Sequence, residues 1–436
     1  MPSPMLMDTV LVFGDSLSDI GRKWKTKAGR MATSTNQMYV SSSGRFSDCR
    51  NWTDYMIEAA TGKSLVVDSA AGTIALSKMH TSLSNESLLE GLNSFYFANY
   101  AEGGACGDKP ASMGPFLGTF KGQVDWFEED LRASSLPLGN TLIFAWFGAN
   151  DLYTAGRKSQ EMGQVANEVA VNQRNRLAEI VRANGGNCRF IFVNLARALT
   201  TTRYTKQLAE LEAAMLKELK IKDFRGFNER SRRPNYNLEP DSRRASNLWH
   251  AQQALDIASV RNITSGHLSA SARAFKNLQE KVTEIKAFEI GVMNYNSQLA
   301  INANANFDNV AEVGNVLSEE TIARLFEGNY GLMAGGMKER PGHVSSAGYS
   351  TSAVKPINTI DEVHPTDHVY RLIWGEIYEE VKRSGSTFGN LVGAREFSTL
   401  AQLSGPSNAV HTEFNTVLEQ IRSGQHQLRP LTRPRR

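Results

Sequence analysis

Short apolar runs separated by longer amphipathic stretches dominate the first half of the chain. The four clearest runs span residues 9–13, 97–101, 141–147 and 189–195. An apolar run of this length is typical of a strand buried on both faces of a parallel sheet. Between the runs, apolar positions recur at helical spacing over residues 123–132 and 161–183. Strands that alternate with helices predict a doubly wound α/β sheet, on which ligands bind beyond the carboxyl ends of the strands.

The pattern changes after residue 203. A charged helical stretch at residues 208–222 leads into a segment with arginines among Asn, Pro and Ser, namely Arg225, Arg230, Arg232, Arg233, Arg243 and Arg244. The helical pattern resumes at residues 287–303. We therefore predict a mostly helical insertion at residues 204–286, which is either a solvated surface excursion or a lid or partner-binding element.

This insertion divides the predicted core into residues 1–203 and 287–385. Glycines cluster at residues 328–348 and predict a mobile loop before the last candidate motif. Residues 386–436 are rich in Ser, Gln and Gly, and they are expected to form a loosely ordered tail.

The composition is that of a soluble globular protein. Of the 436 residues, 41% are hydrophobic and 21% are charged, so the chain can bury a sizeable core. The net charge of +3 does not indicate a nucleic-acid partner, for which a concentrated basic stripe is expected. Cys49, Cys106 and Cys188 are too few for a disulfide framework and lack paired metal-ligand spacing, which favours a reduced compartment.

No apolar stretch approaches the ~20 residues that a transmembrane helix needs. The first run leads directly into Gly14-Asp15-Ser16-Leu17, so we interpret it as a buried strand rather than a signal peptide. We therefore expect a cytoplasmic protein, or one exported by a route that needs no cleaved signal. The oligomeric state is left open.

Ser16 is the candidate nucleophile, because it directly follows the first predicted strand, where a turn can hold its hydroxyl away from the sheet. A serine hydroxyl needs a base to remove its proton, and His364 is the candidate base. Asp361, three residues earlier, can bond to the imidazole ring and fix its tautomer. Glu362 and Asp367 are alternatives for this orienting role, although the spacing favours Asp361.

Two structural interpretations compete with this one. Ser16 could be a helix N-cap, and His364 could form a metal site with His368 at i, i+4 spacing. The chain has no HExxH signature and offers no third ligand to such a pair, so we predict no metal and no cofactor. His368 is expected on the helix after Pro365, away from the chemistry.

Attack on an ester carbonyl places negative charge on its oxygen, which nearby donors stabilise. Gly104 can donate its backbone N–H at close approach because glycine has no Cβ, although the sequence does not separate it from Gly103. Asn150 can donate from its side-chain amide, or it can be a turn residue. The backbone N–H of Ser16 completes the predicted oxyanion hole.

The candidate residues lie in four motifs that follow one another along the chain. The motifs are Gly14-Asp15-Ser16-Leu17, Asn99-Tyr100-Ala101-Glu102-Gly103-Gly104, Gly148-Ala149-Asn150-Asp151 and Asp361-Glu362-Val363-His364. Together they resemble the blocks of the GDSL lipases and esterases, also called SGNH hydrolases, over about residues 8–382. No Gly-x-Ser-x-Gly elbow of the α/β-hydrolase fold occurs.

The resemblance implies a fold and a set of roles. The implied fold is a three-layer α/β/α sandwich with a parallel, flavodoxin-like sheet. The implied activity is cleavage of ester bonds. The implied site comprises the nucleophile Ser16, the oxyanion residues Gly104 and Asn150, and the pair Asp361 and His364.

Further local matches narrow the resemblance. Gly44-Arg45-Phe46-Ser47, Trp52 and His364-Pro365-Thr366 resemble the branch of bacterial phospholipases and glycerophospholipid–cholesterol acyltransferases. Some members of that branch are effectors delivered into host cells without a cleaved signal. Cys49 and the long insertion are departures from its pattern.

The motifs and the resemblance predict a serine ester hydrolase or acyltransferase with an acyl-Ser16 intermediate, acting on a lipid ester. Peripheral membrane contact is left open. A carbohydrate or small-molecule acetylesterase would use the same residues and would favour a shallow polar pocket. The non-enzymatic alternative is an inactive hydrolase scaffold whose insertion serves as a binding surface.

Overall fold

The computed structural model describes residues 8–35, 38–41, 43–47, 49–61, 65, 80–90, 94–110, 112, 117–197, 201–220, 241–261, 263–264, 269–316, 361 and 363–385. The glycine cluster at 328–348 and the tail at 386–436 lie outside these residues, as do the side chains of the six arginines named above. Among the helices within these ranges, none is both long enough and apolar enough to cross a bilayer.

A six-stranded sheet forms the centre of the described core. Its strands are β1 (Thr9–Gly14), β2 (Leu88–Leu89), β3 (Phe95–Asn99), β4 (Asn140–Trp146), β5 (Asn187–Val193) and β6 (Asn309–Ala311). They lie in the order β2-β3-β1-β4-β5-β6, and each adjacent pair is parallel except β2 with β3. Parallel neighbours need crossover connections, which the intervening helices supply. The predicted α/β fold with a parallel sheet is confirmed.

The four apolar runs correspond to β1, β3, β4 and β5, with shifts of one or two residues at most ends. β3 ends at Asn99 rather than Ala101, because the Asn99 side chain accepts a hydrogen bond from the Ala101 N–H at 2.9 Å and turns the chain. β5 ends at Val193 rather than Leu195, whose N–H donates to Asn296 Oδ1 at 2.8 Å instead of continuing the ladder.

Helices connect the strands and cover both faces of the sheet. In chain order they are α1 (Arg22–Lys25), α2 (Lys27–Thr35), α3 (Trp52–Thr61), α4 (Phe120–Ser134), α5 (Ala149–Tyr153), α6 (Met162–Asn167), α7 (Arg174–Ala183), α8 (Thr202–Glu218), α9 (Asp241–Val260), α10 (Ala270–Ala305), α11 (Val313–Val316) and α12 (Asp367–Arg383). A π-helical turn at Glu168–Gln173 joins α6 to α7, so the predicted helix over 161–183 is one continuous helical stretch from residue 162 onward.

The sheet separates two apolar layers. In β1, Val10 and Val12 belong to one layer, and Leu11 and Phe13 belong to the other, because side chains alternate along a strand. The first layer packs on α3 and α12. The second packs on α4, the helical stretch of α6 and α7, and the C-terminal half of α10. The arrangement is a three-layer α/β/α sandwich.

The predicted insertion contains helices with an apolar cluster of their own. This cluster is shared by α8, α9 and the N-terminal half of α10, and it includes Leu208, Met215, Ala254, Leu278 and Ile285. The insertion is therefore a packed helical layer in its described part.

The predicted boundary between residues 286 and 287 lies inside α10. This helix is capped by Ser269, whose hydroxyl accepts from the Ala272 N–H at 3.1 Å, and it continues without a break from Ala270 to Ala305. Its apolar positions change partners near the boundary, from the α8 and α9 cluster to core residues such as Tyr295. The apolar positions of α10 keep their helical spacing where their packing partners change, so the helix continues across the predicted boundary.

Candidate active site

The turn after β1 carries Ser16. A Cβ at Gly14 would lie 3.0 Å from the carbonyl oxygen at the end of β4, so this close approach favours glycine. The Gln123 side chain accepts from the Gly14 N–H at 3.0 Å and donates to its carbonyl oxygen at 2.7 Å. The Ser18 N–H donates to the Asp15 carbonyl oxygen at 3.1 Å and closes a tight turn. Ser16 is thus held at the carboxyl end of a central strand, with 9% of its surface exposed.

His364 lies in the turn before α12 and reaches Ser16. Its Nε2 is 2.8 Å from Ser16 Oγ, although the two residues are 348 positions apart in the chain. The Phe46 ring packs against the imidazole, with ring centroids 5.0 Å apart. His364 is buried, so the contact between the two side chains is largely shielded from solvent.

Asp361 lies behind the histidine ring. Its Oδ2 is 2.7 Å from His364 Nδ1 and accepts the Tyr39 N–H at 2.9 Å. Its Oδ1 accepts the backbone N–H groups of Val363 and His364, each at 2.9 Å. Burial acts to raise the pKa of this carboxyl, but the charge of the His364 ring and these hydrogen bonds outweigh burial and hold the pKa well below its usual range. The carboxylate is therefore ionised and fixed in orientation.

The other sequence candidates lie around the same turn. Glu362 is outside the described residues. Asp367 and His368 open α12, and their side chains are outside the described part of the chain. Within that part, no three His, Cys, Asp or Glu side chains converge to hold a metal ion.

The two adjacent glycines of the second motif differ in their hydrogen bonds. The Gly103 N–H donates to Asp19 Oδ2 at 2.8 Å, whereas the Gly104 N–H meets no acceptor among the described residues. Gly104 has a φ of +85°, which residues with a Cβ rarely adopt, and it lines the same cavity as Ser16. The Ser16 N–H also meets no acceptor within the described ranges. The N–H groups of Ser16 and Gly104 are therefore available to a ligand.

Asn150 lies in the first turn of α5, on the other side of the serine. The preceding Gly148 has a φ of +113°, and a Cβ there would come within 2.8 Å of the Tyr295 ring. Asn150 Nδ2 donates to the Ala105 carbonyl oxygen at 3.1 Å and lies 3.3 Å from Asp15 Oδ2. The amide is thus oriented beside the residue that precedes the nucleophile.

Asp19 joins the first and second motifs, a role that the sequence analysis did not identify. Its carboxylate accepts backbone N–H groups at 2.7 to 3.1 Å from Gly21, Arg22, Lys23 and Gly103. Burial raises the pKa of this carboxyl despite those bonds. The signal in the sequence was its position, as the last residue of Gly-Asp-Ser-Leu-Ser-Asp.

Asp15 and Asp151 are also buried acidic residues that sequence reasoning missed. The Asp15 carboxylate accepts the Leu17 N–H at 2.9 Å, and burial raises its pKa to about 7. Asp151 accepts the Gly107 N–H at 2.7 Å, and burial raises its pKa to about 6. Asp15 directly precedes Ser16, and Asp151 directly follows Asn150. These positions are the sequence signal by which the two residues could have been found.

A cavity of about 270 Å³ opens beside Ser16. Most of its lining is apolar and includes Leu17, Met38, Phe46, Leu117, Trp146, Tyr153, Leu195, Tyr204 and Val369. Basic residues of the lining are held by acceptors, namely Lys23 by Glu102 at 3.1 Å, Arg197 by Glu289, and Arg203 by the Asp361 carbonyl oxygen at 2.9 Å. An apolar cavity beside a nucleophile suits the hydrocarbon part of an ester.

The predicted insertion contributes one residue to the lining of this cavity. Tyr204, at the start of the insertion, lines the cavity together with Tyr153 of α5. Both rings pack on Phe288 of α10, with centroids 5.5 and 4.9 Å from it. The helical layer therefore touches the side of the cavity without supplying a member of the Ser16, His364 and Asp361 set.

Comparison with known families identifies the chain. The family model described as GDSL-like Lipase/Acylhydrolase matches residues 10–377, which include all four motifs. The chain belongs to this family and is an ester-hydrolysing enzyme. No curated protein matches it.

Proposed function

We propose that this member of the GDSL-like lipase/acylhydrolase family is a serine ester hydrolase or acyltransferase whose catalytic triad is Ser16, His364 and Asp361. The proposal is carried by the two hydrogen bonds that run from Ser16 Oγ through the imidazole to Asp361, at 2.8 and 2.7 Å. His364 Nε2 takes the hydroxyl proton while Oγ attacks the ester carbonyl carbon. Asp361, whose lowered pKa keeps it ionised, stabilises the imidazolium that forms.

The second half of the reaction regenerates Ser16. His364 gives its proton to the leaving alcohol oxygen, and the acyl group stays on Oγ as an ester. A water molecule or an alcohol then attacks this acyl-serine, with His364 again as the base. Collapse returns the proton to Ser16 and releases an acid or a new ester, so one set of residues serves hydrolysis and acyl transfer.

We assign stabilisation of the oxyanion to the N–H groups of Ser16 and Gly104 and to Asn150 Nδ2. Gly103 is unsuited because its N–H holds Asp19. The two hydrogens of Asn150 Nδ2 go to the Ala105 carbonyl oxygen at 3.1 Å and to Asp15 Oδ2 at 3.3 Å. In the proposed reaction the amide keeps the shorter bond and redirects the second hydrogen from Asp15 to the substrate. Each donor of this kind is typically worth ~10²–10³ in rate.

A lipid acyl ester is the favoured substrate class. The support is the mostly apolar lining of the cavity, which differs from the shallow polar pocket that a carbohydrate acetylesterase would favour. An inactive scaffold is disfavoured because nucleophile, base and carboxylate are hydrogen-bonded in the order that catalysis needs.

A fluorophosphonate probe tests the nucleophile. We expect labelling of the wild type at Ser16, identified by mass spectrometry of the labelled peptide, and no labelling of Ser16→Ala. The control Ser43→Ala, at a serine that bonds to Ser41 outside the cavity, should label like the wild type. A wild type that does not label would favour the inactive scaffold.

A series of p-nitrophenyl esters tests the substrate class. Because each buried CH₂ contributes about 0.8 kcal/mol, kcat/KM should rise roughly fourfold per methylene until the cavity is filled. A maximum at the acetyl ester would favour an acetylesterase. Mass spectrometry of products from phospholipid with and without a sterol separates hydrolysis from acyl transfer.

A further inference from the structure

A locally basic segment follows the nucleophile. Residues 20–47 contain six Lys or Arg and no Asp or Glu, in a chain whose net charge is only +3. Five of these six cations lie in residues 22–31, which span α1 and the first half of α2. We call residues 22–31 the basic segment. Its charge is a local feature that the overall composition does not reveal.

Two cations of the basic segment point into the protein. The Arg22 guanidinium lies over the rings of Tyr100 and Trp126, at 5.2 and 4.9 Å from their centroids. Lys23 Nζ pairs with Glu102 at 3.1 Å. These contacts anchor the segment to the core and leave the other cations to the surface.

The outer face of α2 combines charge with an apolar side chain. Lys27 and Arg30 are exposed, as is Lys25 at the end of α1, and Met31 is 66% exposed. Lys27, Arg30 and Met31 share one side of the helix because they stand at i, i+3 and i+4. Thr33 lies on the other side, where it is buried and its hydroxyl donates to a backbone carbonyl oxygen of the preceding turn at 2.8 Å. Cations around an exposed apolar side chain favour adsorption to an anionic lipid surface.

The inner side of the same segment belongs to the active-site cavity. Lys23 of α1 and Ala32 and Thr33 of α2 line the cavity that contains Ser16. One short helix therefore has one side in the cavity wall and its basic side in solvent. A surface that touches the basic side is brought next to the cavity.

We propose that the basic segment docks the enzyme on anionic lipid bilayers and delivers ester substrates from the bilayer to the cavity. This inference rests on the proposed action on lipid esters, but the docking step itself needs no turnover. Anionic headgroups meet Lys25, Lys27 and Arg30. Met31 enters the boundary between headgroups and acyl chains, a contact that a soluble polyanion does not offer.

Vesicle sedimentation measures the docking directly. The wild type should bind vesicles of phosphatidylcholine with phosphatidylserine, and more weakly as salt rises, because screening weakens the attraction. Lys25→Gln/Lys27→Gln should bind these vesicles about 25-fold more weakly, at roughly fivefold per charge. The matched control is Lys121→Gln/Lys276→Gln, which removes the same charge from exposed lysines of α4 and α10 and should bind within about twofold of the wild type.

Met31→Ser separates a bilayer from a soluble polyanion. This variant should bind the anionic vesicles several-fold more weakly, since burial of the methionine side chain is lost. Its binding to double-stranded DNA, used as the soluble polyanion, should equal that of the wild type. The proposal is overturned if the wild type does not bind the vesicles, if it prefers DNA at equal charge concentration, or if the lysine pair and its control weaken binding equally.

Turnover of a short soluble ester keeps this proposal distinct from the proposed function. The lysine pair should retain wild-type kcat/KM on that ester, because neither lysine lines the cavity. Loss of this activity in a folded variant would place the segment in the catalytic site and overturn docking as its role. A wild type that hydrolyses the ester without binding vesicles overturns the docking alone, whereas vesicle binding without any esterase activity supports the docking and overturns the proposed function.

Discussion

The acid–base side and the oxyanion side of the candidate site are built in different ways. On the acid–base side, side chains from opposite ends of the chain depend on one another, since Ser16 and His364 are 348 positions apart. On the oxyanion side, backbone N–H groups and one amide come from the segments that directly follow β1, β3 and β4. The first side depends on one long-range contact between side chains, whereas the second is assembled where the adjacent parallel strands β3, β1 and β4 end at one edge of the sheet.

The two sides also differ in how their groups are bonded. Asp361 accepts three backbone N–H groups in addition to its bond with His364. The N–H groups of Ser16 and Gly104 meet no acceptor in the described ranges, so they remain available to a ligand. When several groups act as one unit, removal of any one of them abolishes nearly all of the enzyme's activity. When several donors act in parallel, removal of one lowers the rate only by the contribution of that donor.

Removal of the proposed nucleophile or the proposed base gives the largest expected effect. Ser16→Ala and His364→Ala should each lower kcat on a soluble ester by roughly 10⁴–10⁶-fold, because neither can act without the other. Thermal melting should remain that of a folded protein. The double variant should be little slower than either single variant. If the two losses multiplied in the double variant, Ser16 and His364 would act as independent groups. The proposed difference between the acid–base side and the oxyanion side would then be wrong.

Asp361→Asn should lower kcat by roughly 10³–10⁴-fold, because an amide facing Nδ1 favours the wrong imidazole tautomer. Steady-state kinetics on the same ester measure the loss. Asp367→Asn is the matched control and should retain most activity, since Asp361 already occupies Nδ1 at 2.7 Å. Severe loss in the control with near-normal Asp361→Asn would move the orienting role to Asp367.

Asn150→Ala tests the oxyanion side and should lower kcat by roughly 10²-fold with little change in KM, because the amide meets the oxyanion more strongly than the ground-state carbonyl. Asn172→Ala is its control. Asn172 is exposed, its amide donates to Glu168 at 2.6 Å, and it does not line the cavity, so its removal should change kcat by less than about threefold. A raised KM with unchanged kcat in Asn150→Ala would make this residue a substrate-binding group instead.

The sequence was sufficient to predict elements and residues that a local pattern determines. Apolar runs predicted β1, β3, β4 and β5, because a strand buried on both faces favours apolar side chains on both. β2 and β6, with two and three residues, are too short to produce such a run. The residues 16, 361 and 364 were also predicted from motif spacing, and the structure brings their side chains within hydrogen-bonding distance.

The sequence was insufficient to predict features that depend on contacts between residues far apart in the chain. The choice between Gly103 and Gly104 depends on Asp19, which is 84 positions from Gly103 and accepts its N–H. The end of the insertion depends on what each half of α10 packs against. The role that we propose for the basic segment depends on its contact with the cavity, and residue spacing along the chain does not reveal that contact.

Asp15 lies between the two sides of the site. Its substitution has the smallest effect that we expect, and the effect is on stability. It precedes the nucleophile, and its Oδ2 lies 3.3 Å from Asn150 Nδ2. Burial raises its pKa to about 7. The unfolded chain loses this proton near pH 4. Between about pH 4 and pH 7 the folded protein therefore holds a proton that the unfolded chain lacks, so stability falls as pH rises through this window.

Asp15→Asn removes this dependence, because an amide has no proton to lose. The free energy of unfolding of the variant minus that of the wild type should therefore rise by roughly 2 kcal/mol from pH 5 to pH 8, as measured by urea denaturation. Glu129→Gln, at an exposed position of α4, is the control and should give a difference that hardly changes with pH. A constant difference for Asp15→Asn would contradict the raised pKa. Asp15 would then be ionised throughout this range in the folded protein as well, which would place a fixed negative charge beside the oxyanion donors.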